Sequence, residues 1–507
     1  MKDDEQHSSS REDITGGKRL IVVTNREPYV HKYSDDGQIE CSIPAGGVTA
    51  ALDPVMQEVG GTWIAWGSGN ADREKVDGRE CVRVPPNRPR YKLRRVWLTK
   101  KDVDDYYLGY CNQGLWPLSH GLISKVSFEK RKWDRYREVN QKFANAVSKE
   151  IQDGDEIVWI HDYHLTLAPL ALKKRHPEIT IVMFWHIPWP QIDTLRICPQ
   201  YRQILKSMSC CNLVGFHIER YRTNFEDCLR RAWPGTEPMN VSMPKTGVFP
   251  ISIDFDDIER RASLIQAEKT ILHLENKYSL KGKSISCGVD RMDYTKGIPN
   301  RLEAIEMLFD RYPEHREKYT HIQICSPSRT GIKEYRSVKK KVVEITERVN
   351  KKHGTLDWMP LVVLHKNHPL DDLAAIYRMS DFAIVSPLSD GMNLVAKEFL
   401  AAQVQEKGIL LISEFAGAAS EIQNALKLNP FEVDSFAECI KTALDMPKIK
   451  KRRMAAAARR SIRKNTIYDW VKKFIDASVA ASSAARNQAV KTAGAHRSGI
   501  EREVVLN

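Results

Sequence analysis

The sequence predicts an α/β protein of two domains, each built around a mostly parallel sheet. Short apolar runs of strand length recur along the chain, and continuous runs of this kind are typical of strands buried on both faces. Helical stretches such as residues 133–152 and 301–311 lie between the runs, and this alternation indicates α/β architecture. A second series of runs begins near Ser284, after a charged helical stretch over residues 256–278, which indicates a second domain.

The predicted strands form two groups, separated by a domain boundary near Asp254. The first group comprises residues 19–25, 156–160, 179–185 and 213–216, and the second comprises 285–289, 321–325, 361–364, 382–385 and 409–412. We expect a disordered polar tail over residues 1–17, a first domain over 18–254, a second domain over 255–464 and a polar tail over 478–507. Residues 465–477 predict an amphipathic helix with Ile467, Trp470, Val471 and Phe474 on one face.

Composition excludes several classes of protein. The chain has 507 residues, and no apolar run approaches the ~20 residues that a membrane-spanning helix needs. The first 17 residues contain no apolar stretch of the kind found in secretory signals, so we expect a cytoplasmic location. Ten cysteines are scattered without a CxxC pair, a spacing that fits neither a zinc site nor a disulfide framework.

The net charge of +13 has two interpretations. One is nucleic-acid binding, but the densest basic run, residues 448–464, is interleaved with alanines and matches the solvated face of a helix. The other is a positive cleft that concentrates phosphorylated substrates. We therefore expect small anionic substrates, with neither nucleic acid nor a membrane as partner. The oligomeric state is open, and a homo-oligomer is one of the options.

The residues directly after the predicted strands are the first candidates for chemistry, because ligands of parallel sheets bind beyond the carboxyl ends of the strands. The polar residues in such positions are Arg26, His161, Asp162, His164, His186, Asp290, Arg291, Asp293, Lys296, Arg329 and Asp390. His161 and His164 are spaced as HxxH without a third ligand nearby, so we expect no metal site. His186 also fits a buried core histidine.

Arg291 and Lys296 predict the binding of a diphosphate. They lie five residues apart across a turn, and fixed cations at such a turn stabilise the charge that grows on a departing diphosphate. Two surface cations paired with Asp290 and Asp293 are an equally good interpretation.

Three further features are compatible with anion or sugar binding. The turn at residues 390–393 leads directly into an apolar helical stretch, and a helix N-terminus binds anions, while Asp390 would accept sugar hydroxyls or simply cap the helix. Gly46 and Gly47 allow close approach of the backbone to a ligand. Arg26 and Arg329 suit a second phosphate, although each also fits a surface arginine.

Taken in order, these motifs resemble the trehalose-6-phosphate synthase family of retaining glycosyltransferases. The matching pieces are VTNR, AGGV, DDYY with LWP, WIHDYH, HIPWP, GVFPISID, DRMDYTKG, SPSR, SPLSDGMNLVAKE and SEFAGAASE, spread from Arg19 to about Trp470. The resemblance implies the GT-B fold, in which two Rossmann-like domains face a cleft and a C-terminal helix crosses back to the first domain. It also implies transfer of glucose from UDP-glucose to glucose-6-phosphate, giving trehalose-6-phosphate and UDP, without metal or cofactor.

The resemblance implies a role for each matching residue. The acceptor phosphate would be held by Arg26, Tyr107 and Arg329, and the acceptor sugar would lie near Trp116 and Asp162. The donor would be bound by Gly46, Gly47, His186, Arg291, Lys296, Val349, Asp390, Gly391, Met392, Asn393, Leu394, Val395, Ala396, Lys397 and Glu398. Among these, Val349 would meet the base through its backbone and Glu398 the ribose. The catalytic set would be Arg291, Lys296, Asp390, His186 and Asp162, acting by a front-face mechanism in which the leaving diphosphate takes the acceptor's proton.

The sequence departs from the commonest family pattern in four places. These are residues 27–47, residues 63–72 with Ala65 and Gly67, and the single positions Trp189 and Ser252. Several departures lie on the acceptor side, so a sister transferase with another acceptor, such as glycerol-3-phosphate, or with an ADP- or GDP-sugar donor stays open.

A non-catalytic regulatory subunit that binds sugar phosphate is an alternative of another class. Such a protein is expected to lose one or more of Arg291, Lys296, Asp390 and Asp162. All four are present, which favours an enzyme.

Overall fold

The computed structural model describes residues 14–44, 47–233 and 243–504, with side chains described as far as residue 485. Gly46 and residues 1–13 of the predicted tail lie outside the described residues. The chain forms two compact units: the first consists of the chain up to Leu115, Ser127–Phe249 and the chain from Tyr468, and the second of Trp116–Val126 and Pro250–Ile467. Trp116–Val126 therefore belongs to the second unit, whereas the sequence analysis assigns it to the first domain.

Each unit contains a sheet of predominantly parallel strands. The strands of the first unit are β1 Leu20–Arg26, β2 Val30–Tyr33, β3 Ile39–Ser42, β4 Thr62–Trp66, β5 Cys81–Val84, β6 Tyr91–Val96, β7 Ile157–His161, β8 Thr180–Phe184, β9 Leu213–Phe216 and β10 Lys245–Val248. Those of the second unit are β11 Ser284–Arg291, β12 Tyr319–Ser326, β13 Leu361–Leu364, β14 Phe382–Val385, β15 Ile409–Ser413 and β16 Leu426–Leu428.

Both sheets share one strand order around their centre. The second sheet runs β13-β12-β11-β14-β15-β16 with all strands parallel, which is the Rossmann order. The first runs β10-β9-β8-β7-β1-β4-β6-β5, so its six central strands repeat that order, and only β5 pairs antiparallel. The order reverses between β1 and β7 in one unit and between β11 and β14 in the other. In such sheets the ligand crevice lies at this reversal, outside the carboxyl ends of the strands.

The helices pack on the sheets between the strands. They are α1 Gly47–Val59, α2 Lys100–Asp102, α3 Trp116–Ser119, α4 Lys130–Ser148, α5 Ala168–Lys173, α6 Ile192–Leu195, α7 Tyr201–Met208, α8 Glu219–Arg231, α9 Phe255–Ser263, α10 Ile265–Lys277, α11 Ile298–Arg311, α12 Lys333–His353, α13 Leu370–Met379, α14 Leu394–Ala402, α15 Ala418–Glu421, α16 Val433–Asp445, α17 Lys448–Arg463 and α18 Ile467–Val504. A π-helix covers Val103–Leu115. No helix within the described chain is both long and apolar enough to cross a membrane.

Two predicted helices differ from the structure. The single helix expected over residues 256–278 is split into α9 and α10, because Leu264 adopts an extended conformation between them. The helix expected over residues 465–477 continues to Val504, since the tail beyond Ala477 is rich in alanine, which has the highest helix propensity.

Helix α18 completes the core of the first unit. The rings of Trp470 and Phe474 lie 5.3 and 4.9 Å from that of Trp159 on β7, and all three side chains are buried. The indole of Trp470 also donates to the carbonyl of Phe249 over 2.9 Å. The apolar face predicted for this helix is therefore the face that packs on the first sheet.

Candidate functional site

The strand reversal of the second unit brings Lys296 and Asp390 together. After β11, the chain makes a tight turn over Tyr294–Lys296 and enters α11 through Gly297, whose φ of +62° favours glycine. A Cβ at Gly297 would lie 2.2 Å from the carbonyl oxygen of Ser386, so no other residue fits there. Because β11 and β14 are neighbours, Nζ of Lys296 donates to Oδ2 of Asp390 at a distance of 2.5 Å.

Asp390 is a partly buried, ionised acceptor. Its Oδ2 also accepts from Nδ2 of Asn393 at 3.0 Å, and its peptide N–H donates to the carbonyl of Phe415 at 3.1 Å. Burial by itself raises the pKa of Asp390, but the Lys296 ammonium and the hydrogen bonds to the carboxylate together outweigh burial and bring the pKa below its usual value. The carboxylate is thus held in a fixed position at the start of α14, ready to accept hydrogen bonds from hydroxyl groups.

Two arginines surround the indole of Trp116 within the second unit. The guanidinium carbons of Arg329 and Arg291 lie 4.5 and 5.6 Å from the centre of the indole ring. Arg329 forms an ion pair with Asp293 at 3.2 Å and donates to the hydroxyl of Tyr335. The guanidinium of Arg291 has no hydrogen bond or ion pair with any residue that the structure describes, so its charge is available to an anionic ligand.

His120 adds a neutral acceptor next to these charges. Its Nδ1 lies 2.7 Å from the carbonyl oxygen of Trp116, so the Nδ1–H donates and Nε2 carries the lone pair. Nε2 is buried without a hydrogen-bond partner among the described residues. Burial lowers the pKa of His120 to about 4, which keeps the ring neutral at physiological pH. The sequence analysis missed this residue, whose only signal is its position four residues after Trp116.

The predicted donor loop forms the approach to α14. Gly391 and Met392 are buried, Asn393 precedes the helix, and the helix proper begins at Leu394 and runs through Val395, Ala396, Lys397 and Glu398. Lys397 is fully buried, and its ammonium donates to the carbonyl of Ile251 at 2.7 Å and to Glu421 at 2.6 Å. Lys397 therefore supports the loop, whereas Glu398 is only partly buried.

At the reversal of the first unit, Arg26 and Asp162 follow β1 and β7. The guanidinium of Arg26 donates to the hydroxyl of Tyr107 over 2.7 Å. Asp162 donates its peptide N–H to the carbonyl of Phe184, and its carboxylate accepts from the peptide N–H of His186 at 3.3 Å. The predicted acceptor residues Arg26, Tyr107 and Asp162 thus lie in the first unit, whereas Trp116 and Arg329 lie in the second.

Two histidines form a buried neutral pair behind Asp162. Nδ1 of His161 and Nε2 of His186 are 2.9 Å apart, so one ring donates its proton to the other. Burial lowers the pKa of His161 to about 3 and that of His186 well below its usual value. The hydrogen bond couples the proton positions of the two rings, because one ring nitrogen must carry a hydrogen and the other must not.

Backbone strain coincides with the predicted site residues. Three of the seven non-glycine residues with positive φ in the described chain are Asp162 (69°), Arg329 (41°) and Asn393 (79°). Each such conformation costs ~1–3 kcal/mol and is found mainly where function requires it. The strain independently supports the choice of these three residues.

Val349 does not lie at the strand reversal with the other predicted donor residues. It lies inside α12, where its peptide groups take part in the helix, and its side chain is buried in the core of the second unit. Gly47 is the first residue of α1, and its neighbour Gly46 lies outside the described residues. The roles implied for these three residues stay predictions.

Two of the segments that differ from the commonest family pattern, residues 27–47 and 63–72, contribute side chains to one buried ion cluster of the first unit. The fully buried guanidinium of Arg95 on β6 donates to Glu27 at 2.8 Å and contacts Asp72 at 2.9 Å. His31 donates its peptide N–H to Asp72 at 2.8 Å. Burial and the hydrogen bond with Asp72 raise the pKa of Glu27 to about 8, whereas hydrogen bonds bring that of Asp72 down to about 2 despite burial. The cluster thus contains two carboxyl groups and one guanidinium, and a proton on Glu27 balances their charges.

Comparison with known proteins identifies relatives over nearly the whole chain. Residues 18–479 match the model of glycosyltransferase family 20. The chain is 34% identical over 476 residues to the alpha,alpha-trehalose-phosphate synthase (UDP-forming) A of Dictyostelium discoideum. This match covers 93% of this chain and 64% of that protein. The chain therefore spans about two thirds of that relative's length.

Two solved structures are similar to this fold. An alpha,alpha-trehalose-phosphate synthase (UDP-forming) from Burkholderia xenovorans in complex with glucose-6-phosphate has a TM-score of 0.81 at 28% identity, covering 91% of this chain and 99% of its own. A trehalose-6-phosphate structure from E. coli bound with UDP-2-fluoro glucose has a TM-score of 0.80 at 33% identity, with the same coverage of 91% and 99%. The predicted α/β GT-B fold class, with two Rossmann-like units, is confirmed.

Proposed function

Because this chain belongs to glycosyltransferase family 20, we propose that it transfers glucose from UDP-glucose to glucose-6-phosphate, producing trehalose-6-phosphate and UDP. The observation that carries the proposal is the cationic cluster at the strand reversal of the second unit, where Arg291 has no anionic partner among the described residues and Lys296 is fixed by Asp390. The ligands of the similar structures, glucose-6-phosphate and a UDP-sugar analogue, support the same pair of substrates.

The second unit supplies the groups that a departing UDP needs. Arg291 and Lys296 stabilise the negative charge that grows on the diphosphate as the bond to the glucose C1 breaks, and fixed cations in a partly buried site do so without reorganisation. This is the positive charge that a metal ion would otherwise supply, so the transfer is metal-independent. Asp390, held ionised by Lys296, accepts hydrogen bonds from hydroxyl groups of the donor sugar.

The first unit supplies groups for the acceptor. Arg26, oriented by the hydroxyl of Tyr107, pairs with the acceptor phosphate, since a guanidinium matches the geometry of phosphate oxygens. Asp162 accepts from a sugar hydroxyl. In the proposed front-face step, the acceptor's anomeric oxygen bonds to C1 on the face that the diphosphate leaves. Because the new bond forms on the face of the broken one, configuration is retained, and the hydroxyl proton passes to a diphosphate oxygen.

The test is product formation from UDP-glucose and glucose-6-phosphate with and without EDTA. We expect α,α-linked trehalose-6-phosphate at a rate that EDTA does not change. ADP-glucose, GDP-glucose and glycerol-3-phosphate are run beside them, because the departures near Arg26 lie on the acceptor side. Activity only with one of these would identify a sister transferase, and tight UDP binding without any transfer would identify a regulatory subunit.

Two further properties belong to the proposal. The enzyme acts in the cytoplasm, where nucleotide sugars and sugar phosphates are available, and fractionation of cells would test this. A homo-oligomer is the second property, and light scattering of the purified protein would test it.

A further inference from the structure

A buried tyrosine contacts the carboxylate of Glu398 in the second unit. The hydroxyl of Tyr377, on α13, donates to Oε2 of Glu398 over 2.9 Å. Tyr377 is fully buried, whereas Glu398, the fifth residue of α14, keeps some accessibility. Among the described residues, no other side chain forms a hydrogen bond with this carboxylate.

This contact divides the carboxylate into a fixed oxygen and a free one. Oε2 is occupied by the hydroxyl of Tyr377, which sets the orientation of the carboxylate plane. Oε1 has no hydrogen bond with a described residue, and a carboxylate oxygen has lone pairs for two donors. A ligand group that binds Oε1 must therefore be a hydrogen-bond donor, such as a hydroxyl group.

The same contact favours the charged form of the acceptor. Burial raises the pKa of Glu398, and the Tyr377 hydroxyl opposes that increase. A protonated carboxyl group loses acceptor capacity, and hydrogen bonds to a charged acceptor are about twice as strong as neutral ones. The other titratable groups that face Tyr377 are Cys287 and Asp290, both on β11.

We propose that Tyr377 is a positioning residue, which holds Glu398 as the acceptor for the vicinal hydroxyls of the donor's ribose. The proposal rests on the proposed function, because it requires a nucleoside diphosphate donor in the second unit. Glu398 lies beyond Asp390 in the same loop and helix, so the two carboxylates meet different parts of one ligand. Asp390 is adjacent to the cation Lys296 and takes the sugar, and Glu398 takes the ribose.

The experiment compares UDP with 2′-deoxy-UDP and 3′-deoxy-UDP as ligands, by calorimetry, in the wild type and in Tyr377→Phe. We expect the wild type to prefer UDP over at least one deoxy analogue, and the variant to lose about 5- to 10-fold of that preference while its affinity for the same analogue is unchanged. The acid limb of UDP affinity moves to higher pH in the variant, because the hydroxyl that lowers the pKa of Glu398 is gone.

Tyr319→Phe is the matched control. Tyr319 is a buried tyrosine of the same unit whose hydroxyl lies 2.7 Å from Oγ of Ser286, so its removal has a similar structural cost. The control should keep both the wild-type preference and the acid limb. A Tyr377→Phe protein that binds UDP with the wild-type ratio and pH profile would overturn the inference alone. A wild type that binds neither UDP nor UDP-glucose would overturn the proposed function as well.

Discussion

The two strand reversals share one topology but differ in their electrostatics. In the second unit, three cations, Arg291, Lys296 and Arg329, face two carboxylates, Asp293 and Asp390, and one guanidinium is left over within the described residues.

In the first unit, the residues around Asp162 are the neutral pair His161 and His186, and the cation that follows β1, Arg26, donates to the neutral hydroxyl of Tyr107. The comparison teaches that the fold places a crevice, while the residues after each strand decide whether it attracts a diphosphate.

The largest effect is expected from Arg291→Ala. The variant removes a cation at the strand reversal that has no ion pair with a described residue, and loss of a group that stabilises developing negative charge lowers kcat by ~10²- to 10³-fold. Because Arg291 has no ion-pair partner among the described residues, the melting temperature should change little. Steady-state kinetics with UDP-glucose, together with thermal unfolding, measures both quantities.

Arg348→Ala is the control for this prediction. Arg348 lies on α12 of the same unit and forms a half-exposed ion pair with Glu306. It should leave kcat at the wild-type value. Equal kcat values for the two variants would remove the electrostatic distinction between the two reversals.

A smaller effect is expected from His161→Leu. The change removes the hydrogen bond to Nε2 of His186, frees the proton position of His186, and lowers kcat/KM about 10-fold. His161→Asn places an amide nitrogen near the position of Nδ1 and should restore part of the activity. His176→Gln, which alters a contact with Ser148 at the surface of the same unit, serves as control. If the Asn and Leu variants are equally impaired, the hydrogen bond is not what matters.

The smallest effect is on stability, from Glu27→Gln. The pKa of Glu27 is raised in the folded protein to about 8, so its contribution to stability is present at low pH and is lost as the pH rises through about 8. The free energy of unfolding, measured by thermal unfolding between pH 6 and 9.5, should therefore decrease with pH in the wild type by up to about a few kcal/mol. The decrease should be smaller in the variant. The opposite shift of Asp72, to about 2, acts well below this window.

Asp134→Asn tests whether that slope is specific. Asp134 forms an exposed i,i+4 ion pair with Lys130 in the same unit. Its replacement should keep the wild-type slope. An unchanged slope in Glu27→Gln would mean that the cluster holds no proton at neutral pH.

Much of the fold follows from the sequence because central parallel strands are continuous apolar runs. The predicted strands over residues 213–216, 361–364 and 382–385 coincide with β9, β13 and β14. Strand β6 was not predicted, because Arg94 and Arg95 interrupt its apolar pattern. Both are buried through ion pairs with distant carboxylates, Glu150 and Glu27, which a local pattern does not reveal.

The candidate site was only partly predictable for the same reason. Lys296 and Asp390 are marked by their positions after strands, and the structure joins them directly. His120 and Tyr377 do not follow a strand, so their positions in the sequence do not mark them. His120 contacts the carbonyl of Trp116, and Tyr377 contacts Glu398 on another helix. The assignment of Trp116–Val126 to the second unit likewise depends on tertiary packing.

The position of α18 has a consequence for biosynthesis. The first unit begins the chain, yet Trp470 and Phe474, which cover Trp159, are translated only after the whole second unit. The domain that leaves the ribosome first is therefore the last to be completed, and its sheet carries an uncovered aromatic surface for most of translation. A nascent chain with this arrangement exposes that surface to aggregation until its final residues are released.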